Sequence, residues 1–446
     1  MQIEIAGAGA GKTTKLAEKI IEQEKITKNK NIYCVSFTNT SVDVIKEKLE
    51  QHYGTIPHNI KISTIHSFLY SELIDPYNYL LYGMQFNEIS NLKLDSDIKI
   101  KNYKISQLEK QGILHVEQFS KKAKFIVKEK SSDRKKIKDI RKNILKSIVS
   151  YFGFLYVDEA QDINKEFMEI ILELDNLGLS IELIGDPKQD LKGYNNLKKL
   201  VSDFPEQVNY IKESYRCPLL HLKLSNTYVP ELEKQISTRE NEGTINLIYE
   251  SEINSLQKYI DNKDYGLMYI YQKYNNFDTQ AHTKKEILFE KIKYVIYKKM
   301  DLHTVDVKVI KTASKVTHYL ISSVQENNLS AKDALKKIFP YGTIEKKDYV
   351  DLLNALENET TSIQIEKIKV QSIDSVKGME EDNCLFIVTP PMVPYMLKKK
   401  IEGKLYSSLY VALTRSKYNL DILFTKDVEI QYTKEYINTI FSAIIK

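Results

Sequence analysis

The chain of 446 residues carries a net charge of +5, with 42% hydrophobic and 28% charged residues. This composition excludes a disordered or low-complexity protein, and the length predicts two to four domains with sizeable cores. No apolar run approaches the length of a membrane span, and a predicted core strand begins within two residues of Met1. We therefore expect no signal peptide and no membrane partner. The three cysteines, Cys34, Cys217 and Cys384, have neither metal-ligand nor disulfide-framework spacing, which favours a reducing, cytoplasmic location.

The first predicted element is a short apolar strand, residues 3–6, which runs into a loop of small residues and then a helix. This strand, P-loop and helix order is typical of phosphate binding, because small residues let backbone N–H groups approach a phosphate closely. Lys12 can reach the terminal phosphates and the Thr13 hydroxyl can ligate Mg²⁺. The alternative to phosphate binding is a Gly/Ala turn, without a binding role, before a lysine on a helix. The predicted nucleotide-binding residues are Ala6, Gly7, Ala8, Gly9, Ala10, Gly11, Lys12, Thr13 and Thr14.

Two more strands follow, at residues 31–37 and 60–65, with a helix between them over about residues 42–49. Ser41 is a plausible N-cap for that helix. Strands that alternate with helices after a P-loop predict a parallel sheet in an α/β domain.

In residues 69–147 the alternation of predicted strands and helices stops. The segment is polar, Lys-rich and mostly helical in pattern, which predicts an insertion into the first α/β domain. Residues 101–147 hold 15 Lys and Arg against 5 Asp and Glu. Such a run is either a solvated face or an arm that contacts nucleic-acid phosphates.

Strands are predicted again at residues 154–157 and 180–184, and a cluster of polar residues follows each of them. The carboxyl ends of parallel strands are where ligands bind in open sheets. There, Asp158 is a candidate ligand of Mg²⁺, Glu159 a candidate general base for the attacking water, and Gln189 a candidate sensor of the γ-phosphate. A solvated acidic strand end is the alternative for the two carboxylates.

A second α/β half starts near Gly243, with predicted strands at residues 244–249, 266–271, 368–373, 383–388 and 420–424. Residues 286–364 within it are again helical and polar. Arg216 and Arg415 are two isolated arginines whose spacing is compatible with surface salt bridges or with arginine fingers that stabilise transition-state charge.

The ordered motifs AGAGAGKT, VSFTNT, STIHSF, YVDEAQD, LIGDPKQ, ESYRCP, QSIDSVKGMEED and LYVALTRSK closely resemble those of superfamily 1A helicases, the UvrD/PcrA/Rep family, over residues 6–417. The resemblance implies an α/β fold of two RecA-like P-loop domains with parallel sheets, each with a mainly helical insertion. The implied domains are 1A (1–68 and 148–240, ATP-binding), 1B (69–147, basic and helical), 2A (241–285 and 365–446) and a reduced 2B (286–364).

The resemblance also implies residue roles around ATP and Mg²⁺ held between the two domains. The implied catalytic residues are Lys12, Asp158, Glu159, Gln189, Arg216 and Arg415. Thr13 and Asp158 are the implied metal ligands, Tyr215 stacks on the base and Glu380 contacts the ribose. The implied DNA-binding residues are Phe37, Thr38, Thr64, His66 and Tyr194; from spacing alone, Phe37 and Tyr194 are equally compatible with core aromatics and His66 with a structural histidine.

The implied activity is ATP hydrolysis that drives 3′ to 5′ movement along single-stranded DNA. The pair Tyr194-Asn195 stands where the family has an aromatic-Arg pair, Asp374 stands where it has a histidine, and no glutamine motif precedes the first strand. These departures support ATP hydrolysis more than strand separation. The compact layout is similar to the UvrD-like subunit of the Gabija anti-phage system, which works with a nuclease of the ATPase–Toprim class. A competing hypothesis is therefore a nucleic-acid- or nucleotide-sensing subunit that regulates a nuclease.

Overall fold

The protein is represented by a computed structural model that describes residues 1–27, 29–91, 94, 97–279, 284–300, 307–325, 329–340, 342–360 and 367–445. It has two compact units. The first comprises Met1–Ile89, Ser106–Gln272 and Gln371–Lys446, and the second comprises Ser90–Ile105 and Lys273–Val370. None of the described helices is both long enough and apolar enough to span a membrane.

The strands of the described residues, in chain order, are β1 (Gln2–Ala6), β2 (Asn31–Ser36), β3 (Ile60–Thr64), β4 (Glu88–Ser90), β5 (Ile113–His115), β6 (Phe152–Val157), β7 (Ser180–Gly185), β8 (Val208–Ile211), β9 (Glu213–Ser214), β10 (Ile236–Ser237), β11 (Thr244–Tyr249), β12 (Leu267–Ile270), β13 (Phe277–Asp278), β14 (Ile368–Lys369), β15 (Gln371–Ser372), β16 (Glu381–Val388) and β17 (Ser416–Phe424).

The α-helices of the same residues are α1 (Lys12–Ile26), α2 (Asn39–Tyr53), α3 (Ile65–Phe68), α4 (Asp75–Tyr82), α5 (Ile98–Lys110), α6 (Phe119–Val127), α7 (Lys135–Tyr151), α8 (Lys165–Asn176), α9 (Asn196–Asp203), α10 (Leu219–Ser225), α11 (Leu256–Asp261), α12 (Lys284–Met300), α13 (Val307–Gln325), α14 (Ala331–Ile338), α15 (Lys346–Thr360), α16 (Val393–Met396), α17 (Lys404–Leu413), α18 (Lys426–Gln431) and α19 (Lys434–Ile445).

The first sheet has the strand order β3-β2-β6-β7-β1-β8, and its neighbouring strands are parallel. Side chains alternate between two apolar clusters along its strands. In β2, Tyr33 and Val35 join one cluster, whereas Ile32 and Cys34 join the other. Both faces of the sheet are therefore covered, as expected for parallel sheets in α/β proteins.

The second sheet lies in the same compact unit and has the order β11-β17-β16-β12-β15, again with parallel neighbours. Its core is an apolar cluster that includes Phe386, Ile422 and Leu409, the last of these from α17. The fold is thus α/β with two large parallel sheets and many helices, and the predicted pair of RecA-like domains is confirmed.

Three local predictions need correction. The helix α2 begins at Asn39 and not near Val42, because the Thr38 hydroxyl, and not that of Ser41, caps it by accepting a hydrogen bond from the Ser41 N–H at 3.1 Å. The predicted strand 368–373 is two short strands in different sheets, since β14 pairs with β13 and β15 with β12. The edge strand β8 was missed, because its four residues carry too little pattern to identify a strand.

Residues 69–147 contain α4, α5 and α6, most of α7, and the small β4–β5 sheet, while α12 to α15 occupy much of residues 286–364. Several cations of the basic run are paired. The buried Arg141 contacts Asp133 at 2.8 Å, and Lys122 contacts Glu109 at 2.8 Å. Part of the run is therefore structural, and the boundaries of the four predicted domains stay a prediction.

Candidate functional site

A cleft of about 1250 Å³ opens at the carboxyl ends of β1, β6 and β7 and is also lined by residues from the second half of the chain. It collects most of the predicted site residues. Those on its wall are Ala8, Gly9, Ala10, Gly11, Lys12, Thr13, Thr14, Phe37, Thr38, Glu159, Gln189, Tyr194, Tyr215, Arg216, Glu380 and Arg415. Asp158, Ala6, Gly7, Thr64 and His66 are not on the wall.

The P-loop turns sharply enough that its glycines cannot be replaced without strain. Gly9 has φ +70, and a Cβ there would lie 2.3 Å from the Cβ of Arg216. The Lys12 ammonium donates to the carbonyls of Ala6 and Gly7 at 3.2 and 3.4 Å. The lysine therefore folds back over the loop that is expected to cradle phosphates.

The carboxylate of Asp158 is buried at the end of β6, with one oxygen bonded and the other unpartnered. Ser36 donates to Oδ2 at 3.1 Å, while Oδ1 has no hydrogen-bond partner among the residues that the structure describes. Burial and the adjacent Glu159 raise the pKa of Asp158 to about 7. An orphaned carboxylate oxygen of this kind fits a cation. Thr13 offers a hydroxyl on the cleft wall, which also carries Glu159, the residue next to Asp158.

The described residues contain no group of three or more His, Cys, Asp or Glu that could hold a metal ion. A Mg²⁺ ion at Asp158 and Thr13 fits this sparse donor set, because Mg²⁺ bound by one or two protein groups normally keeps waters and phosphate oxygens as its other ligands.

Glu159 occupies a left-handed backbone conformation, with φ +53, that only a few per cent of non-glycine residues adopt. Gln161 donates to its carboxylate, and the Lys377 ammonium lies 3.9 Å away. Burial acts to raise the pKa of Glu159, but Lys12 and Lys377 outweigh it and hold that pKa below its usual range. The pKa values of these two adjacent carboxyl groups are thus shifted in opposite directions, as in sites where one group acts as an acid and the other as a base.

Gln189 is buried and donates to Asp186 Oδ2 at 2.8 Å. Asp186 is fully buried and also contacts Lys188 at 2.8 Å. Burial acts to raise the pKa of Asp186, but Lys188 and Lys12 overcome it and lower that pKa. The amide of Gln189 is therefore held in a fixed orientation at the cleft wall.

Two arginines and one tyrosine, Arg216, Arg415 and Tyr215, also line the wall. Arg216 forms an ion pair with Glu380, so the structure brings together the predicted finger and the predicted ribose ligand. Arg415 is completely buried, and its guanidinium donates to the Val411 carbonyl at 2.9 Å. Tyr215 is 54% exposed and lies beside Gly11, where a base could stack on it.

The Arg415 guanidinium has no carboxylate within ion-pair distance among the residues the structure describes. Burial and the neighbouring Arg216 lower the pKa of Arg415 to about 10. A buried cation without a counter-ion is unfavourable by itself, and a bound polyphosphate would supply the missing negative charge.

The predicted DNA-binding residues divide into two sets. Phe37, Thr38 and Tyr194 line the cleft, and the Lys192 ammonium lies 4.9 Å from the Phe37 ring and 5.8 Å from the Tyr194 ring. The Thr38 hydroxyl, however, already serves as the helix cap. Lys192 was missed, although a lysine next to Gly193-Tyr194 is the kind of cation–aromatic pattern that binds single strands.

Thr64 and His66 lie outside the cleft. The Thr64 hydroxyl caps α3 by accepting from the Ser67 N–H at 3.2 Å, and the His66 ring contacts Phe119 with centroids 5.9 Å apart. Partial desolvation and Lys192 lower the pKa of His66. Asp374, the acid at a position predicted to face DNA, is paired with Lys404 at 2.6 Å, which offsets its charge.

Two residues that the sequence did not single out tether the P-loop. Gln235 donates to the Ala8 carbonyl at 3.1 Å, and Tyr410 of α17 both donates to Gln235 at 3.0 Å and accepts from the Ala8 N–H at 3.3 Å. A Cβ on Gly7 would lie 2.2 Å from Gln235. The contacts to Ala8 join residues more than 220 positions apart, so no local pattern could have revealed them.

The fold and the cleft are of the kind found in P-loop nucleotide-binding proteins. Residues 1–194 match the family model of an AAA domain. The chain is 24% identical to the ATP-dependent DNA helicase PcrA of Bacillus subtilis (strain 168), over 289 aligned positions that cover 54% of this chain and 39% of that protein. It is 22% identical to the PcrA helicase of Staphylococcus aureus (strain Mu50 / ATCC 700699), with coverage of 54% and 38%. The chain therefore spans about two fifths of the length of these curated relatives, and it is similar to UvrD/PcrA-like superfamily 1 helicases.

Proposed function

We propose that the protein is an ATP-dependent DNA translocase or helicase of the UvrD-like type, which hydrolyses ATP with Mg²⁺ and moves 3′ to 5′ on single-stranded DNA. The observation that supports ATP hydrolysis best is the single cleft whose wall carries Lys12, Glu159, Gln189, Arg216 and Arg415. In this proposal Asp158 and Thr13 hold Mg²⁺, which neutralises charge on the phosphates when bound.

The proposed chemistry assigns one step to each of these side chains. Glu159, which is kept ionised by Lys12 and Lys377, accepts the proton of the attacking water. Gln189 orients that water or the γ-phosphate. Arg216 and Arg415 stabilise the charge that develops on the transferring phosphoryl group, and Lys12 leaves the P-loop carbonyls to contact the phosphates. Tyr215 stacks on the base and Glu380 contacts the ribose.

Single-stranded DNA is proposed to bind at the part of the same cleft where Phe37, Lys192 and Tyr194 meet. Aromatic faces stack on unpaired bases and a lysine contacts the backbone. We further propose the four-domain layout described above, with the ATP site between the two RecA-like domains.

The test is ATP turnover measured with and without a single-stranded oligonucleotide. We expect DNA to stimulate hydrolysis, and we expect Lys12→Ala and Glu159→Gln to reduce it by about 100-fold or more while Glu159→Gln still binds ATP. Turnover by the wild-type protein that ignores DNA would contradict the proposed DNA coupling, and no turnover at all would contradict the proposed enzyme.

A second candidate is a nucleic-acid- or nucleotide-sensing ATPase subunit that regulates a partner nuclease of the ATPase–Toprim class in anti-phage defence. Asn195 favours it, because its side-chain amide donates to the Gly193 carbonyl within its own turn, at the position where the helicase family carries an arginine. This candidate predicts stable co-purification with a nuclease and little unwinding. Robust unwinding by the chain alone would contradict it.

A further inference from the structure

Arginine is scarce in this chain and concentrates at one place. Of the 65 Lys and Arg residues, five are arginines: Arg134, Arg141, Arg216, Arg239 and Arg415. Arginine differs from lysine in offering several donors in a rigid plane that also stacks on aromatic rings. Two of the five, Arg216 and Arg415, line the wall of the proposed ATP cleft. A third, Arg239, contacts the backbone of Arg216 and of Lys417, two residues after Arg415.

The guanidinium of Arg239 joins the two halves of the chain. Its Nη1 donates at 2.9 Å to the carbonyl of Arg216 and at 2.9 Å to the carbonyl of Lys417. Lys417 lies two residues after Arg415, near the start of β17. The guanidinium also stacks 4.7 Å from the centroid of the Tyr418 ring. One planar group therefore ties the backbone of the first finger to the backbone that follows the second.

Arg239 is the last residue of a strap, residues 235–239, that runs along the ESYRCP loop. The Ile236 N–H donates to the Lys212 carbonyl at 2.7 Å and the Thr238 N–H to the Ser214 carbonyl at 3.0 Å. The strap begins at Gln235, which holds the P-loop at Ala8. It thus links the phosphate cradle, the first finger and the second sheet through consecutive residues.

We propose that Arg239 is a positioning residue that fixes the spacing between Arg216 and Arg415, so that both guanidinium groups meet the same transferring phosphoryl group. The inference rests on the proposed ATPase. The P-loop donors bind the ground-state nucleotide without Arg239. Loss of Arg239 should therefore raise the free energy of the transition state and lower kcat, while the affinity for nucleotide stays unchanged. A lysine at position 239 keeps the charge but lacks the planar group that stacks on Tyr418 and holds both carbonyls.

The experiment compares Arg239→Lys and Arg239→Gln with a matched control, Arg134→Lys, which changes an exposed arginine outside the cleft. DNA-stimulated turnover is measured over a range of ATP concentrations, and binding of a fluorescent ADP is measured with and without aluminium fluoride. We expect Arg239→Lys to lower kcat by about tenfold or more with KM within about twofold of the wild type. The affinity for ADP with aluminium fluoride should fall by a similar factor, whereas the affinity for ADP alone stays unchanged.

Wild-type turnover in both Arg239→Lys and the control overturns this inference and leaves the proposed ATPase standing. Equal losses of ADP and ADP–aluminium fluoride affinity also overturn it, because they indicate a merely structural role. A wild-type protein without turnover overturns the proposed function and this inference together. If Arg239→Gln is too unstable to purify, Arg239→Lys alone decides.

Discussion

Asp158 is buried beside the cleft residue Glu159, and its charge changes near neutral pH. Its pKa is raised from 3.8 to about 7, so the folded protein without ligand binds a proton there more tightly than the unfolded chain does. The stability that this group contributes is complete below about pH 4, is lost as the pH rises, and is absent above about pH 7. At neutral and alkaline pH the ionised, half-satisfied carboxylate therefore destabilises the fold until a cation binds.

Asp158→Asn is accordingly expected to raise the melting temperature in buffer free of Mg²⁺ and nucleotide, more at about pH 8 than at about pH 5. The shift of about three pKa units sets an upper bound of about 4 kcal/mol on the gain. Thermal melts of wild type and variant at both pH values check this, with Asp203→Asn, a change at an exposed acid, as the control. The same melting-temperature difference at both pH values would contradict it.

Lys377 is the second residue with a direct electrostatic role, because it contacts Asp162 at 2.7 Å and Glu159 at 3.9 Å. Removing its charge should raise the pKa of Glu159 toward the value that burial alone would give. In the pH profile of kcat, Lys377→Ala should then shift the acidic limb to higher pH, since the base must be ionised to act. Lys434→Ala, which removes an ion pair to Glu252 outside the cleft, serves as the control. Superimposable profiles for wild type and Lys377→Ala would show that Lys377 does not tune the base.

Among the elements, α17 has a role that its apolar sequence does not indicate. It packs in the second sheet's core through Leu409, and it also reaches the P-loop through the Tyr410 hydroxyl. Tyr410→Phe would leave the Ala8 N–H and the side-chain amide oxygen of Gln235 without this partner inside the protein. A loss of about 1–3 kcal/mol in the free energy of unfolding is expected.

Urea denaturation of Tyr410→Phe measures that loss. Tyr319→Phe, which changes a tyrosine that is 43% exposed on α13, is the control and should stay within about 0.5 kcal/mol of the wild type. If both variants unfold at the same urea concentration as the wild type, the hydroxyl of Tyr410 does not hold the P-loop.

Elements that carry a motif at a strand end could be predicted from the sequence, and the tertiary contacts that support them could not. β1, β6 and β7 are apolar runs that stop at a glycine or an acid, so both their existence and their placement next to the cleft follow from pattern. The segment 368–373 shows the limit. Its alternation predicts extended backbone correctly, but the choice of partner strand depends on packing, and β14 and β15 join different sheets. Gln235 and Arg239 were missed for the same reason, since their partners are distant in sequence.

At the scale of the whole molecule, two sets of hydrogen bonds, joined by the peptide bond between Gln189 and Asp190, connect the proposed base with the proposed DNA site. Gln161 donates to Glu159 and accepts from the Asp186 N–H at 2.9 Å, and Asp186 accepts from Gln189 at 2.8 Å. The next residue, Asp190, accepts at 2.8 Å from the Gly193 N–H and at 2.7 Å from the Asn195 N–H. The turn that carries Lys192 and Tyr194 is thus fixed to the residues that would sense the γ-phosphate.

This connection predicts that nucleotide and DNA bind with mutual dependence. A nonhydrolysable ATP analogue should change the affinity for a single-stranded oligonucleotide, and the oligonucleotide should change the affinity for the analogue by the same factor, since a coupling free energy is reciprocal. Fluorescence anisotropy of a labelled oligonucleotide and of a labelled nucleotide measures the two factors independently.

Asp190→Ala tests the route of that coupling, because it releases the turn that carries Lys192 and Tyr194 while it removes no side chain proposed to contact either ligand. We expect each ligand to bind the variant alone with nearly wild-type affinity, and the coupling factor to fall toward one. The double variant Asp190→Ala/Lys192→Ala should bind DNA more weakly and still show no coupling. This result distinguishes the effect of Lys192 on DNA affinity from the effect of Asp190 on coupling. Wild-type coupling in Asp190→Ala would mean that the two ligands communicate by a path that does not include this turn.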